Sequence, residues 1–192
     1  MKMVWELPPG YSSSCRIDLQ NDKRLALLVN IGALVIAVVM VLPACFIKPI
    51  SVFYGEIEDL KWLFLRLAVL LFSMIGYLFL HEWVHGLCIR YFSGKKAHYG
   101  FTWLYAFAYS EAYFAKKSYI IIALAPLVIW GAVLLLLQFV VPDSWFWPVY
   151  LIQVINISGA SGDLYVTYRL AKMPKDLLVQ DSGVAMEIYT AQ

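Results

Sequence analysis

An all-α membrane protein of four transmembrane helices, with a small cytoplasmic β element, is the fold class this sequence predicts. Three observations predict it. The chain of 192 residues is 62% hydrophobic and only 15% charged, against about 45–50% and 25% in soluble domains. The apolar excess is gathered into four long runs. Between the second and third runs, residues from about 99 to 113 alternate with period two.

A membrane helix needs about 20 mostly apolar residues to cross a core of about 30 Å. Residues 25–47 and 62–88 meet this, the latter with Arg66 near one end and a His-Glu-His cluster near the other. Residues 119–141 form a third span, with Pro126 near its start. Residues 145–166 form a fourth, rich in small residues from Ser158 to Gly162. All four are expected to be helical, because lipid cannot satisfy open backbone groups. Residues 1–24 are polar and carry Pro8, Pro9 and Gly10 where a signal peptide would need an apolar region, so no cleaved leader is expected. Cys15, Cys45 and Cys88 are scattered and form no metal-binding or disulfide pattern. The whole chain reads as one membrane-embedded domain.

Basic residues set the orientation. Lys2, Arg16, Lys23 and Arg24 precede the first run; Arg90, Lys95, Lys96, Lys116 and Lys117 separate the second from the third; Arg169, Lys172 and Lys175 follow the fourth. The opposite side holds Lys48, Lys61 and Arg66 beside Glu56, Glu58, Asp59 and Asp143. The positive-inside rule predicts a multi-pass cell-membrane protein with both termini and the 89–118 loop in the cytoplasm, and the tail as residues 167–192. The bilayer is then its first partner, and no nucleic acid is expected.

In the loop, Tyr99, Phe101, Trp103, Tyr105, Phe107, Tyr109 and Tyr113 alternate with smaller residues, a strand pattern that a hairpin could fold back on itself. The tail offers Leu177-Leu178-Val179, a turn at Asp181-Ser182-Gly183, and Met186–Tyr189. Both segments are expected to share one small sheet.

His81-Glu82-Trp83-Val84-His85 carries the chemistry. Residues i and i+4 share a helix face about 6 Å apart, which suits two imidazole ligands of one Zn²⁺. Glu82, one residue round, is placed as the catalytic base of a zinc hydrolase. Ionisable groups in a membrane helix are costly unless paired or functional, which argues against chance. A third protein ligand is required. A further His ten residues after His81 would mark one large zinc-protease class, but that position is Tyr91. His98, Glu111 and Asp163 remain. Asp163 is favoured, because the predicted topology puts it at the depth of His81 and His85. Glu111 remains a rival ligand or a substrate contact. Asn156 is an accessory candidate, either for substrate or for a neighbouring helix.

With HEWVHG, LPPGYS, SGASGDLY and VQDSGVAMEIY in view, the chain resembles the bacterial putative zincin peptidase family, long catalogued as a membrane domain of unknown function. Ala125-Pro126 and the Asn156-to-Asp163 spacing are distantly similar to site-2-type intramembrane zinc metalloproteases. The resemblance implies His81, His85 and Asp163 as ligands of one Zn²⁺ per chain, Glu82 as base, and a peptide or membrane-protein substrate. It departs at Ser158-Gly159 and Gly162-Asp163-Leu164, where the site-2 enzymes carry Asn-x-x-Pro and Leu-Asp-Gly. The competing expectations are a non-catalytic membrane regulatory or interaction protein with a structural zinc, and a zinc hydrolase of a non-peptide substrate.

Overall fold

The computed structural model describes residues 2–54, 60–102, 106–183 and 185–191. The elements in chain order are β1 (Met3–Val4), β2 (Tyr11–Ile17), α1 (Lys23–Ile47), α2 (Ser51–Tyr54), α3 (Leu60–Ser93), β3 (His98–Phe101), β4 (Ala106–Ala115), α4 (Lys116–Val140), a 3₁₀ turn (Asp143–Trp145), α5 (Phe146–Gly159), α6 (Ser161–Ala171), β5 (Leu177–Asp181) and β6 (Met186–Ala191). Glu56, Glu58, Asp59, Trp103 and Tyr105, used above for charge and alternation, lie outside the described residues.

The all-α expectation is overturned. A six-stranded antiparallel sheet runs β1-β4-β5-β6-β2, with β3 also paired to β4. The expectation of four continuous long helices is corrected too. Among the described residues, three helices are long and apolar enough to cross a membrane: α1, α3 and α4. The fourth run is split into α5 and α6, with Ala160 between them at φ −76° and ψ 12°. The small-residue stretch Ser158 to Gly162 explains the break, since glycine is among the poorest helix formers and two flank this point.

The chain divides into two compact units. The first comprises Met1–Val29, His81–Pro126 and Gly162–Gln192 and holds the whole sheet. Its strands arise where period-two apolar patterning meets turn chemistry. The described parts of the 99–113 alternation form β3 and β4, paired antiparallel with His98 opposite Tyr109 and Phe101 opposite Ala106. β5 and β6 pair from Leu177–Thr190 to Asp181–Met186. Their turn carries Gly183 at φ +84°, and the Phe107 ring packs so closely on it that a Cβ there would collide. The N-terminal segment adds two strands that the sequence reading left as polar chain. β1 pairs Val4 with Tyr113, and β2 pairs Arg16 with Glu187. The buried face of this sheet packs on helix: Phe114, Val179 and Ile188 meet Ile89, Tyr119, Ile122, Val166 and Leu170 in one core.

Local bonds fix the helix ends in this unit. Asp22 Oδ1 accepts the backbone N–H groups of Arg24 and Leu25 and caps α1. Lys116 Nζ, at the start of α4, donates to the carbonyls of Ala171, the last residue of α6, and Met173 just beyond it.

The second unit comprises Asn30–Leu80 and Leu127–Ser161. Trp147 is buried there, packed with Ala44 and Phe53, and its indole N–H donates to the Pro49 carbonyl at 3.3 Å. Deeper in the helices, Tyr77 donates to Asn156 Oδ1 at 2.7 Å, and Asn156 Nδ2 donates to the Leu127 carbonyl at 3.2 Å. Elsewhere these helices turn apolar side chains outward: Phe46, Phe72 and Phe139 are each more than three-quarters exposed.

Gly183→Ala is expected to lower thermal stability, because a left-handed non-glycine residue costs roughly 1–2 kcal/mol and its methyl would strike Phe107. Gly76→Ala, in open space within α3, is the control; it is expected to be neutral or to stabilise by up to about 1 kcal/mol. Thermal unfolding in detergent, followed by circular dichroism, distinguishes the two.

Candidate functional site

Within the first unit, the helical spacing of α3 puts His81 and His85 on one face, with ring centroids 4.9 Å apart. Their Nε2 atoms are 3.2 Å apart. The break after Gly159 restarts the helix at Ser161, so Asp163 falls in the first turn of α6, where a carboxylate is favoured by the unpaired N–H groups. Its Oδ2 stands 3.4 Å from His81 Nε2 and its Oδ1 3.7 Å from His85 Nε2. Among the described residues, these three form the one group of His, Cys, Asp or Glu donors close enough to share a metal ion.

The triangle fits a zinc ion. Donors at 2.0–2.1 Å from a tetrahedral centre stand about 3.3–3.4 Å from each other, and the three edges here are 3.2, 3.4 and 3.7 Å. The protonation pattern fits as well. His85 Nδ1 lies 2.9 Å from the Ile122 carbonyl oxygen. A carbonyl only accepts, so Nδ1 carries a proton, and in the neutral ring Nε2 then keeps its lone pair for the triangle.

Glu82 is half-buried beside this group. The Ala108 backbone N–H of β4 bonds its carboxylate. Tyr99 of β3 stands close by: its hydroxyl rests over Gly86, one helical turn from Glu82, so closely that a methyl at Gly86 would collide with it. A buried pair lies beyond, where the Tyr119 hydroxyl of α4 donates to Asp181 Oδ2. The Gly183 N–H donates to Asp181 Oδ1 at 2.7 Å. Burial pushes the Asp181 carboxyl above its usual range, and these two bonds oppose that shift.

The structure thus brings His81, Glu82, His85 and Asp163 together. Glu111 and His98 are exposed and stand outside the donor group; Glu111 offers its backbone carbonyl to Gln180 at 3.1 Å, and the His98 ring lies against Tyr109. Asn156 is fully buried in the second unit and occupied by Tyr77, Leu127 and Gln153. Sequence reasoning missed Tyr99, the Ala108 N–H and the Ile122 carbonyl. Gly86 was the available sign of the first, since a glycine inside a helix marks a close approach when nothing else requires it.

Comparison with protein families places this arrangement. The model of the family described as "Putative zincin peptidase" matches residues 74–178, more than half of the chain, and this protein belongs to that family. The match spans α3 from Met74 onward, including the HExxH turn, then β3, β4, α4 and Asp163. No curated protein and no solved structure matches the chain.

Gly86→Ala is expected to expel the Tyr99 ring and to lower stability, whereas Gly86→Ala with Tyr99→Ala recovers most of the loss. The coupling expected for such a contact is roughly 1–3 kcal/mol by double-mutant cycle. Strictly additive single effects would mean that the two residues do not touch.

Proposed function

We propose that this protein is a membrane-embedded zinc metallopeptidase in which His81, His85 and Asp163 hold one zinc ion and Glu82 is the general base. The observation that carries the reading is the triangle of two imidazole nitrogens and a carboxylate oxygen, with edges of 3.2–3.7 Å, next to Glu82. A bound zinc ion would bring the pKa of water to about 7 and polarise a substrate carbonyl.

The chain's own residues supply the rest. His85, fixed by the Ile122 carbonyl, presents Nε2 in one orientation. Asp163 contributes negative charge, which offsets that of a cation. Glu82 is one residue along the helix from His81, outside the donor triangle, and accepts the proton of the attacking water. The Ala108 N–H holds the Glu82 carboxylate in place. Three protein donors leave a fourth position open, the arrangement of catalytic zinc sites; structural sites are closed by four. This supports the hydrolase over the structural-zinc reading.

A peptide is the favoured substrate because a strand edge runs past the base. At Ala108 the β4 backbone turns its N–H toward Glu82, away from β3. An extended peptide laid along that edge would bring successive carbonyls past the carboxylate, as strand addition does elsewhere.

The apolar faces of α1, α3 and α4 support membrane embedding. The clustering of Lys and Arg before α1, between α3 and α4 and after α6 supports cytoplasmic termini and hydrolysis at the cytoplasmic side.

Elemental analysis of detergent-purified protein is expected to find about one zinc per chain, retained in Glu82→Gln and lost in His85→Ala and Asp163→Asn. Hydrolysis of a fluorogenic peptide library is expected to fall roughly 10²–10⁴-fold in Glu82→Gln. A Glu82→Gln protein that keeps both zinc and full cleavage would sink the mechanism. Metal-free wild type in a folded state would sink the zinc assignment.

A further inference from the structure

Pro126 lies inside α4, fully buried. In a regular helix each N–H bonds the carbonyl four residues earlier. The partner that position 126 lacks is therefore the carbonyl of Ile122. Proline acts on that carbonyl twice: it offers no N–H, and its ring crowds the carbonyl four residues back and tilts it away from the helix axis. A buried carbonyl left so would cost free energy unless another donor reached it. The donor that reaches it is His85 Nδ1, at 2.9 Å.

We infer that Pro126 is a positioning residue of the proposed zinc site: it frees the Ile122 carbonyl so that this oxygen fixes the His85 tautomer and aims Nε2 at His81 and Asp163. The inference rests on the reading of His85 as a zinc ligand for its purpose, but its physical core is independent of zinc. Neither His85 nor Ile122 alone accounts for the bond. In an unbroken helix the same carbonyl would already be engaged, and the imidazole would compete with a backbone N–H for it. His85 and Ile122 are both buried, so water is poorly placed to substitute. A neutral imidazole with the opposite tautomer would put a proton on Nε2, into the triangle, and abolish its donor atom.

The outward turn of one carbonyl thus links three features read separately from the sequence: the proline of the third apolar run, the second histidine of HExxH, and the carboxylate of the fourth run. Other residues near Ile122 serve different ends. Tyr119, one turn earlier, is committed to Asp181. Asp163 meets the opposite nitrogen of the ring. The His85 ring therefore meets a carbonyl at Nδ1 and, at Nε2, both the Asp163 carboxylate and His81.

The test is nitrogen NMR of the imidazoles in metal-free, detergent-solubilised full-length protein, held at a pH where histidine is neutral. The chain has 3 histidines, so His98→Gln removes the exposed one and leaves the pair to be assigned. Wild type is expected to show His85 protonated at Nδ1. Pro126→Ala, which restores the N–H, is expected to raise the Nε2-protonated fraction and to weaken zinc binding roughly 10–100-fold, the usual cost of losing a partner behind a metal-bound histidine. Pro126→Gly, which also restores the N–H but favours helix less, is the second variant should Pro126→Ala misfold, with helicity checked by circular dichroism. A wild-type His85 carrying its proton on Nε2 would overturn the inference, as would a folded variant with unchanged tautomer and zinc affinity. If wild type bound no zinc but showed the expected tautomer and its shift in the variant, the zinc reading would fail and the link between Pro126 and His85 would stand.

Discussion

The candidate site in the first unit depends on the convergence of His81, His85 and Asp163 on one small volume. Three groups that prefer water are withdrawn from it, and each must be compensated by another. The helix repeat of α3 supplies the two imidazoles at no extra cost, because i and i+4 already share a face. The carboxylate is harder to supply, since it comes from a segment 78 residues beyond His85 in the chain. The α5–α6 break solves this by starting a new helix whose first turn carries Asp163. The sheet then serves as the wall behind these helical segments: its buried face packs on Ile89 and Val166, each about a turn from a donor residue, and on Ile122, whose carbonyl meets His85.

The same unit shows how backbone groups become functional when secondary structure is interrupted. The Ala108 N–H bonds Glu82 from a stretch of β4 that, among the described residues, pairs with β3 alone. The Ile122 carbonyl is available to His85 because a proline follows four residues later. In neither case does a side chain provide the contact. Polar groups that sheet and helix would ordinarily absorb are released at the two points where the candidate chemistry needs them.

How much of this was legible varies with the range of the interaction. The three long helices were, because about 20 apolar residues in a row have few other destinations. The fourth run was misread as one continuous helix: its average composition is apolar, but the local preference of Gly159 and Gly162 ends one helix and begins another. The β3–β4 hairpin and the β5–β6 pair were legible from alternation and from Asp181-Ser182-Gly183. β1 and β2 were not. Two residues are too few to show a period, and the serines of Tyr11–Ile17 hide the face that Cys15 and Ile17 bury against the core. That omission, summed over strands that count only together, produced the all-α label. At the site, the HExxH residues and Asp163 were readable as side chains at matching depth. The backbone partners carried no letter of their own, although Gly86 and Pro126 marked where to look.

The pairing of β2 with β6 sets an order of events. Ser13 and Glu187 are hydrogen-bonded across 174 residues of chain, so β2 cannot pair with β6 until the three long helices between them have been synthesised. Closing so long a loop is slow, since the chain entropy must be surrendered before the contact rewards it. The sheet that backs the candidate site is therefore completed late, after Asp163 has left the ribosome. A nascent chain therefore holds its HExxH turn before it can hold the β2–β6 pair of the sheet.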